Sequence, residues 1–115
     1  MTDSCIFCKI VSGEAKAELV YRDEQVIAFR DIHPVAPTHI LRVPNKHIES
    51  VGALDVENEQ LVGHLFTVAR KLAEDERISR GGYRLITHTG VDGGETVFHL
   101  HVHLIGGQRM RYPLG

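Results

Sequence analysis

The chain has 115 residues, 43% hydrophobic and 24% charged, the size and balance of one globular domain with a modest core, and we expect a single soluble domain over residues 1–115. A formal net charge of -2 with scattered basic residues argues against a broad nucleic-acid surface, and no apolar run approaches the roughly 20 residues of a membrane span. The N-terminus lacks a basic stretch followed by an apolar one, so the expected location is the cytoplasm, with neither nucleic acid nor membrane as a partner.

A short turn or helix is expected near Cys5 to Val11. Glu18 to Arg22 and Gln25 to Arg30 have strand composition and flank the polar Asp23-Glu24, which predicts a hairpin. Pro34 and Pro37 make Asp31 to Pro37 a loop, because each proline fixes φ and pushes its predecessor toward extended geometry. Thr38 to Val43 reads as the next strand. A long helix is predicted from Asp55, a good N-cap, to about Arg77, with Leu61, Leu65, Ala69 and Leu72 at helical spacing beside Val62, Phe66 and Ala73. Gly81-Gly82 closes that region, Tyr83 to Thr89 is a strand, Gly90 to Gly94 a turn-rich loop, and Phe98 to Ile105 the last strand. Short connections and one long helix predict an α+β fold with a mainly antiparallel sheet of about five strands.

On an extended strand, His99, His101 and His103 share one face and Leu100, Val102 and Leu104 the other. Three readings are open: a solvated polar face, a metal site, or nucleophilic catalysis on phosphorus by a neutral imidazole. The preceding Asp92-Gly93-Gly94-Glu95-Thr96 favours the third, since glycines permit close approach to an anion and backbone N–H groups can cradle it. Cys5 and Cys8 suit metal ligation or redox chemistry better than a disulfide framework, and a reducing compartment is expected.

The run His99-Leu100-His101-Val102-His103-Leu104-Ile105 resembles the signature of the histidine triad nucleotide-binding family. Ile6-Phe7, Phe29-Arg30-Asp31-Ile32, Pro37-Thr38-His39-Ile40-Leu41, the long helix and Gly93-Gly94-Glu95-Thr96-Val97 follow in the expected order. Gly106-Gly107 and the tail to Pro113 resemble the purine nucleoside phosphoramidase branch more than the dinucleoside polyphosphate hydrolases.

The resemblance implies that His101 attacks the α-phosphorus, His103 lies beside the phosphate, His39 assists orientation or proton transfer, and His99 buttresses the strand. It implies that Asp31 holds the ribose hydroxyls, that Ile6, Phe7, Ile10, Phe29 and Ile32 form a slot for the base, and that His88, Gly94, Glu95, Thr96 and Val97 complete the nucleotide site. It further implies structural zinc on Cys5, Cys8, His47 and His99, chemistry without a catalytic metal, and a homodimer in which the long helix and a strand meet their two-fold mates. The expected substrate is a purine nucleotide or nucleoside phosphoramidate, cleaved at its P–N bond; the runners-up are dinucleoside polyphosphate hydrolysis and nucleotide binding with residual catalysis. Three positions depart from the family pattern: His88 stands where asparagine is usual, Glu95 where glutamine is common, and Tyr112 where tryptophan is frequent.

Overall fold

A computed structural model describes residues 4–111, 113 and 114. Five strands, β1 (Leu19–Arg22), β2 (Val26–Arg30), β3 (Thr38–Pro44), β4 (Tyr83–Ile86) and β5 (Val102–Gly106), form an antiparallel sheet in the order β1-β2-β3-β5-β4. The short helix α1 (Ile6–Ser12) and the long helix α2 (Glu59–Asp75) complete the expected α+β architecture.

Local chemistry sets the boundaries. Cys5 caps α1 by accepting the Cys8 N–H on Sγ, and Gly13 ends it at a φ of 88°, where a side chain would be strained. In the β1–β2 hairpin, Asp23 Oδ1 accepts the N–H groups of Gln25 and Val26 at 2.8 Å each. Its Oδ2 takes bonds from the Tyr21 hydroxyl and from His64 Nε2 on α2, so the turn is pinned to the helix. Burial alone would raise this carboxyl; the four donors outweigh it and hold Asp23 well below the usual carboxylate range.

Asp55 is a cap, as expected, but of a 3-10 turn over Val56–Asn58, and α2 begins only at Glu59. The helix stops at Asp75, ahead of the two glycines. Arg77 adopts a φ of 62°, its N–H bonds Glu74 O at 3.1 Å, and Ile78 N–H reaches back to Ala73 O at 2.9 Å. This reciprocal pair satisfies the last carbonyls and folds the buried Ile78 onto the core.

The sheet has a helix on each face. Leu65, Val68, Leu72 and Ala73 of α2 pack against Val26, Ala28, Ile40, Leu100, Val102 and Leu104, while Phe66 remains half exposed. On the other face, Phe7 and Ile10 of α1 pack on Ile27, Phe29, Leu41 and Val43. Because α1 covers only the β2–β3 half, the β4–β5 half of that face stays open. The strand alternation places His39, Leu41, His103 and Ile105 on this same face.

The two strands nearest the histidines are shorter than their sequence predicts. Residues 99–101 leave the ladder because other groups take their backbone: Leu100 N–H donates to Ile48 O at 2.6 Å, and the His101 carbonyl accepts the Thr87 hydroxyl at 2.8 Å. The same bond explains why β4 stops at Ile86.

Candidate active site

His99 and His101 are each oriented by a carbonyl that can only accept and His39 by an N–H that can only donate, so the tautomers, and through His39 that of His103, follow from the geometry. His99 is fully buried, and its Nε2–H donates to the Pro44 carbonyl at 2.9 Å, leaving Nδ1 with a lone pair. His101 Nδ1–H donates to the His99 carbonyl at 2.7 Å, so the lone pair of His101 is on Nε2. The Val35 N–H donates to His39 Nδ1 at 3.1 Å, which puts the His39 proton on Nε2, and that N–H donates to His103 Nδ1 at 2.8 Å. His103 therefore keeps its own proton on Nε2. Asp31 Oδ2, 3.4 Å from His39 Nε2, stands beside this chain.

These tautomers require neutral rings, and the environment supplies them. Burial lowers the affinity of His39, His99 and His101 for a second proton, against the opposing charge of Asp31 at His39 and of Glu95 at His101. His103 is pushed down to about 4 by burial and by the neighbouring His101, His39 and His88. The edge of Phe7 packs on both His99 and His101, with ring centroids 5.9 and 5.1 Å away, which holds the nucleophile candidate from the α1 side.

A cleft of about 580 Å³ opens over the uncovered half of the sheet, lined by His39, His88 and His103 together with Arg84, Ile86 and Met110. The His88 ring lies 5.4 Å from that of His103. A neighbouring hollow of about 600 Å³ beside Ile78, Tyr83 and Gly107 has no imidazole in its wall. The loop preceding the triad is locked by Gly94 N–H to Val91 O and Glu95 N–H to Gly90 O, both 3.0 Å. Glu95 is buried; its Oε1 accepts the Gly90 N–H at 2.9 Å, and its Oε2 has no partner among the described residues.

Of the expected base slot, Phe7, Ile10 and Phe29 lie together in one packed cluster, with Val97 against it, whereas Ile6 is half exposed and Ile32 is 84% exposed. Thr96 is exposed on the loop, and Tyr112 lies outside the described residues. Thr87, Val35 and Pro44, which fix the backbone and tautomers of the triad, carry no motif and are found only once distant segments meet.

Cys5, Cys8, His47 and His99 converge between α1 and the start of the triad and could hold a metal ion, all four ligand atoms lying within 4.8 Å of one another. The Cys5 Sγ–His99 Nδ1, Cys8 Sγ–His99 Nδ1 and Cys8 Sγ–His47 Nδ1 separations are 3.3, 3.5 and 3.3 Å. Ligands about 2.0–2.3 Å from a tetrahedral ion stand roughly 3.5 Å apart, so the set has the right size. Burial and the adjacent Cys5 push the Cys8 thiol up to about 11, a penalty on the thiolate that a bound dication would reverse. Asp31, His39 and His103 form a second convergent group. There the Val35 N–H occupies His39 Nδ1 and obliges Nε2 to carry the proton, so that nitrogen is a donor and not a ligand.

The family described as "Scavenger mRNA decapping enzyme C-term binding" matches residues 4–111. The purine nucleoside phosphoramidase of Escherichia coli K12 is 49% identical over 115 residues, which is all of this chain and 93% of that protein. The HIT family hydrolase of Clostridium thermocellum is 46% identical with a TM-score of 0.93, covering 96% of each chain. A crystal structure of the HIT family hydrolase of Legionella pneumophila superposes with a TM-score of 0.95 at 43% identity, over 97% of this chain and 100% of that one.

Proposed function

The chain belongs to the histidine triad (HIT) family of hydrolases, and from that premise we propose that it cleaves the P–N bond of purine nucleoside 5′-phosphoramidates, with His101 as the nucleophile. The observation that carries this reading is the 2.7 Å bond from His101 Nδ1–H to the His99 carbonyl, which leaves an unprotonated Nε2 on a rigidly held, neutral imidazole. That nitrogen attacks the α-phosphorus, a P–N bond forms to His101, and the substrate P–N bond breaks as the amine departs with its electron pair and a proton taken up from solvent water. Water then attacks the nucleotidyl-histidine and releases the nucleotide. The His39–His103 chain presents the His103 Nε2–H as a donor to the phosphate oxygens, held in place by the Val35 N–H at its far end.

Asp31, beside this chain, fits the ribose hydroxyls as an acceptor, and the assignment of the buried Phe7 and Phe29 to a slot for the base rests on resemblance. The assignment of Ile6, Ile10, Ile32, His88, Gly94, Thr96 and Val97 to the nucleotide rests on resemblance. Structural zinc on Cys5, Cys8, His47 and His99 would tie α1 to the strand that carries the nucleophile, and His99 would link the two through the carbonyl that accepts from His101. We place the protein in the cytoplasm as a single-domain homodimer. No helix among the described residues is long and apolar enough to cross a membrane, and the free edge of β4 and the half-exposed Phe66 on α2 support a two-fold contact.

The test is to trap the nucleotidylated protein and locate the adduct. His101→Gly should abolish turnover while sparing nucleotide binding; turnover unchanged in that variant refutes the mechanism. Side-by-side rates on P–N and P–O–P substrates separate this reading from dinucleoside polyphosphate hydrolysis.

A further inference from the structure

The departing amine needs a proton, and the imidazoles used so far are poor sources of one. His101 Nδ1–H is bound to the His99 carbonyl and its Nε2 is the nucleophile; the His39 Nε2–H is bound to His103, whose own Nε2–H is assigned to the phosphate. Burial keeps His39, His101 and His103 neutral, and a neutral imidazole that gave up its single proton would be left an anion. His88 is placed differently. It lies two residues past Ile86 on the sheet face that carries His103, and its backbone is tied to that of the nucleophile, because the preceding Thr87 donates its hydroxyl to the His101 carbonyl at 2.8 Å. Its half-buried ring lines the cleft with His39 and His103, 5.4 Å from the His103 ring, which stands 5.2 Å from that of His101. The glycine-rich loop closes on the same ring: a Cβ at Gly94 would come within 3.7 Å of His88 Cδ2. Neither nitrogen of His88 has a hydrogen-bond partner among the described residues, so both face the cleft's contents and not the fold.

An imidazole with both nitrogens open can carry two protons and hand one to a ligand near neutral pH. We propose that His88 is the general acid of the reaction, giving a proton to the bridging nitrogen as the P–N bond breaks. The proposal rests on the P–N reading given above. In the first step His101 Nε2 bonds to phosphorus, the electron pair of the substrate P–N bond passes to nitrogen, and that nitrogen takes the proton of the His88 imidazolium. A neutral amine leaves, the positive charge now sits on the nucleotidyl-imidazole, and His88 is neutral. In the second step water adds its oxygen to phosphorus, the bond to His101 breaks with its electron pair returning to Nε2, and the water proton goes to His88. The imidazolium is thereby restored, and the proton that left with the amine has been drawn from water. The titratable and charged groups around His88 are His101 and His103 of the triad, Arg84 of β4 and Arg111 of the tail along the cleft, Asp31 beside His39, and Glu95 in the loop that packs on the ring. An amide at this position could hold a phosphate oxygen but could not supply the proton.

The test is His88→Asn in the full-length protein, which keeps an N–H donor for phosphate and removes the transferable proton. Single-turnover rates are compared on adenosine 5′-phosphoramidate, whose nitrogen must be protonated to leave, and on adenosine 5′-phosphorofluoridate, whose fluoride departs without a proton; thermal melting controls for the fold. We expect the ratio of the amidate rate to the fluoridate rate to fall by about tenfold or more in the variant. Across about pH 5 to 9 the wild-type amidate rate should fall on the alkaline side, as His88 loses its proton, and the fluoridate rate should not. That alkaline fall should be absent from His88→Asn. Equal losses on both substrates, the result of a phosphate contact alone, or no loss on the amidate, overturn the role of His88 and leave the P–N reading standing. A wild-type protein that cleaves the fluoridate but not the amidate overturns the P–N reading, and this proposal with it. Should the variant not fold, the wild-type profiles decide, and superimposable profiles on the two substrates overturn the proposal.

Discussion

Arg42 offers the sharpest check on how this core is put together. It is fully buried on the α2 side of β3, with Nη1 donating to Leu65 O, Nη2 to His103 O at 3.3 Å, and Nε without a partner. No ion pair to a carboxylate accompanies it among the described residues. Burial pushes this guanidinium well below its ordinary value, down to about 10, which corresponds to about 3 kcal/mol of penalty on the charged form. The good hydrogen bond to Leu65 O returns about 1.5 kcal/mol, leaving a similar amount uncompensated. Arg42→Met fills the same slot with an unbranched apolar chain, and the Leu65 carbonyl keeps its helical partner inside α2. We therefore expect a gain of about 1.5 kcal/mol, or about 6 °C in Tm for a chain of this size. Urea denaturation with matched protein concentrations reads it directly, since association would otherwise contribute. A loss of about 1 kcal/mol or more at unchanged m-value would refute the reasoning and mean that the buried cation holds the strand beneath His103 in place.

Because the folded His103 is held at about 4 against an ordinary 6.5, the unfolded chain takes up its proton first as pH falls. Stability should then be flat above about 6.5 and decline toward 4 by roughly 1 kcal/mol per pH unit, with a shallower decline in His103→Gln; parallel curves would contradict it. Phe7→Ala removes a buried ring that touches Phe29, His99 and His101, and should cost about 3–4 kcal/mol in chemical denaturation as well as weaken nucleotide binding. Gly93→Ala drives a Cβ into the Thr89 carbonyl and should displace the loop, raising KM for nucleotide substrates several-fold in steady-state assays while the melting temperature moves by only a few degrees. Elemental analysis of metal-replete protein should give about one zinc per chain, and chelation should lower Tm without lowering kcat per folded molecule; a loss of kcat that precedes unfolding would point to catalytic metal.

Most of the architecture is legible in the residue pattern because it depends on short-range periodicity. The Leu65-Ala69-Leu72 stripe announces α2, and the alternation of His101 and His103 with Val102 and Leu104 announces a strand with one chemical and one apolar face. The boundaries are less so. Arg77, not a glycine, takes the left-handed position that ends α2, because the buried Ile78 needs the chain reversed at that point. Thr87 draws the His101 carbonyl out of the ladder across 14 residues of sequence.

By itself, the sequence determined the fold class, the family resemblance, the histidine triad and the Cys–His set, since each is a matter of residue type at fixed spacing. Only the tertiary structure decided which nitrogen of each imidazole carries its proton, because the deciding partners, Pro44 O, His99 O and the Val35 N–H, are backbone groups that residue type does not single out. The same holds for Glu95. Its identity was plain from the start, but whether its carboxylate turns outward or is buried with one oxygen unanswered depends on how the Gly90–Glu95 loop closes on itself.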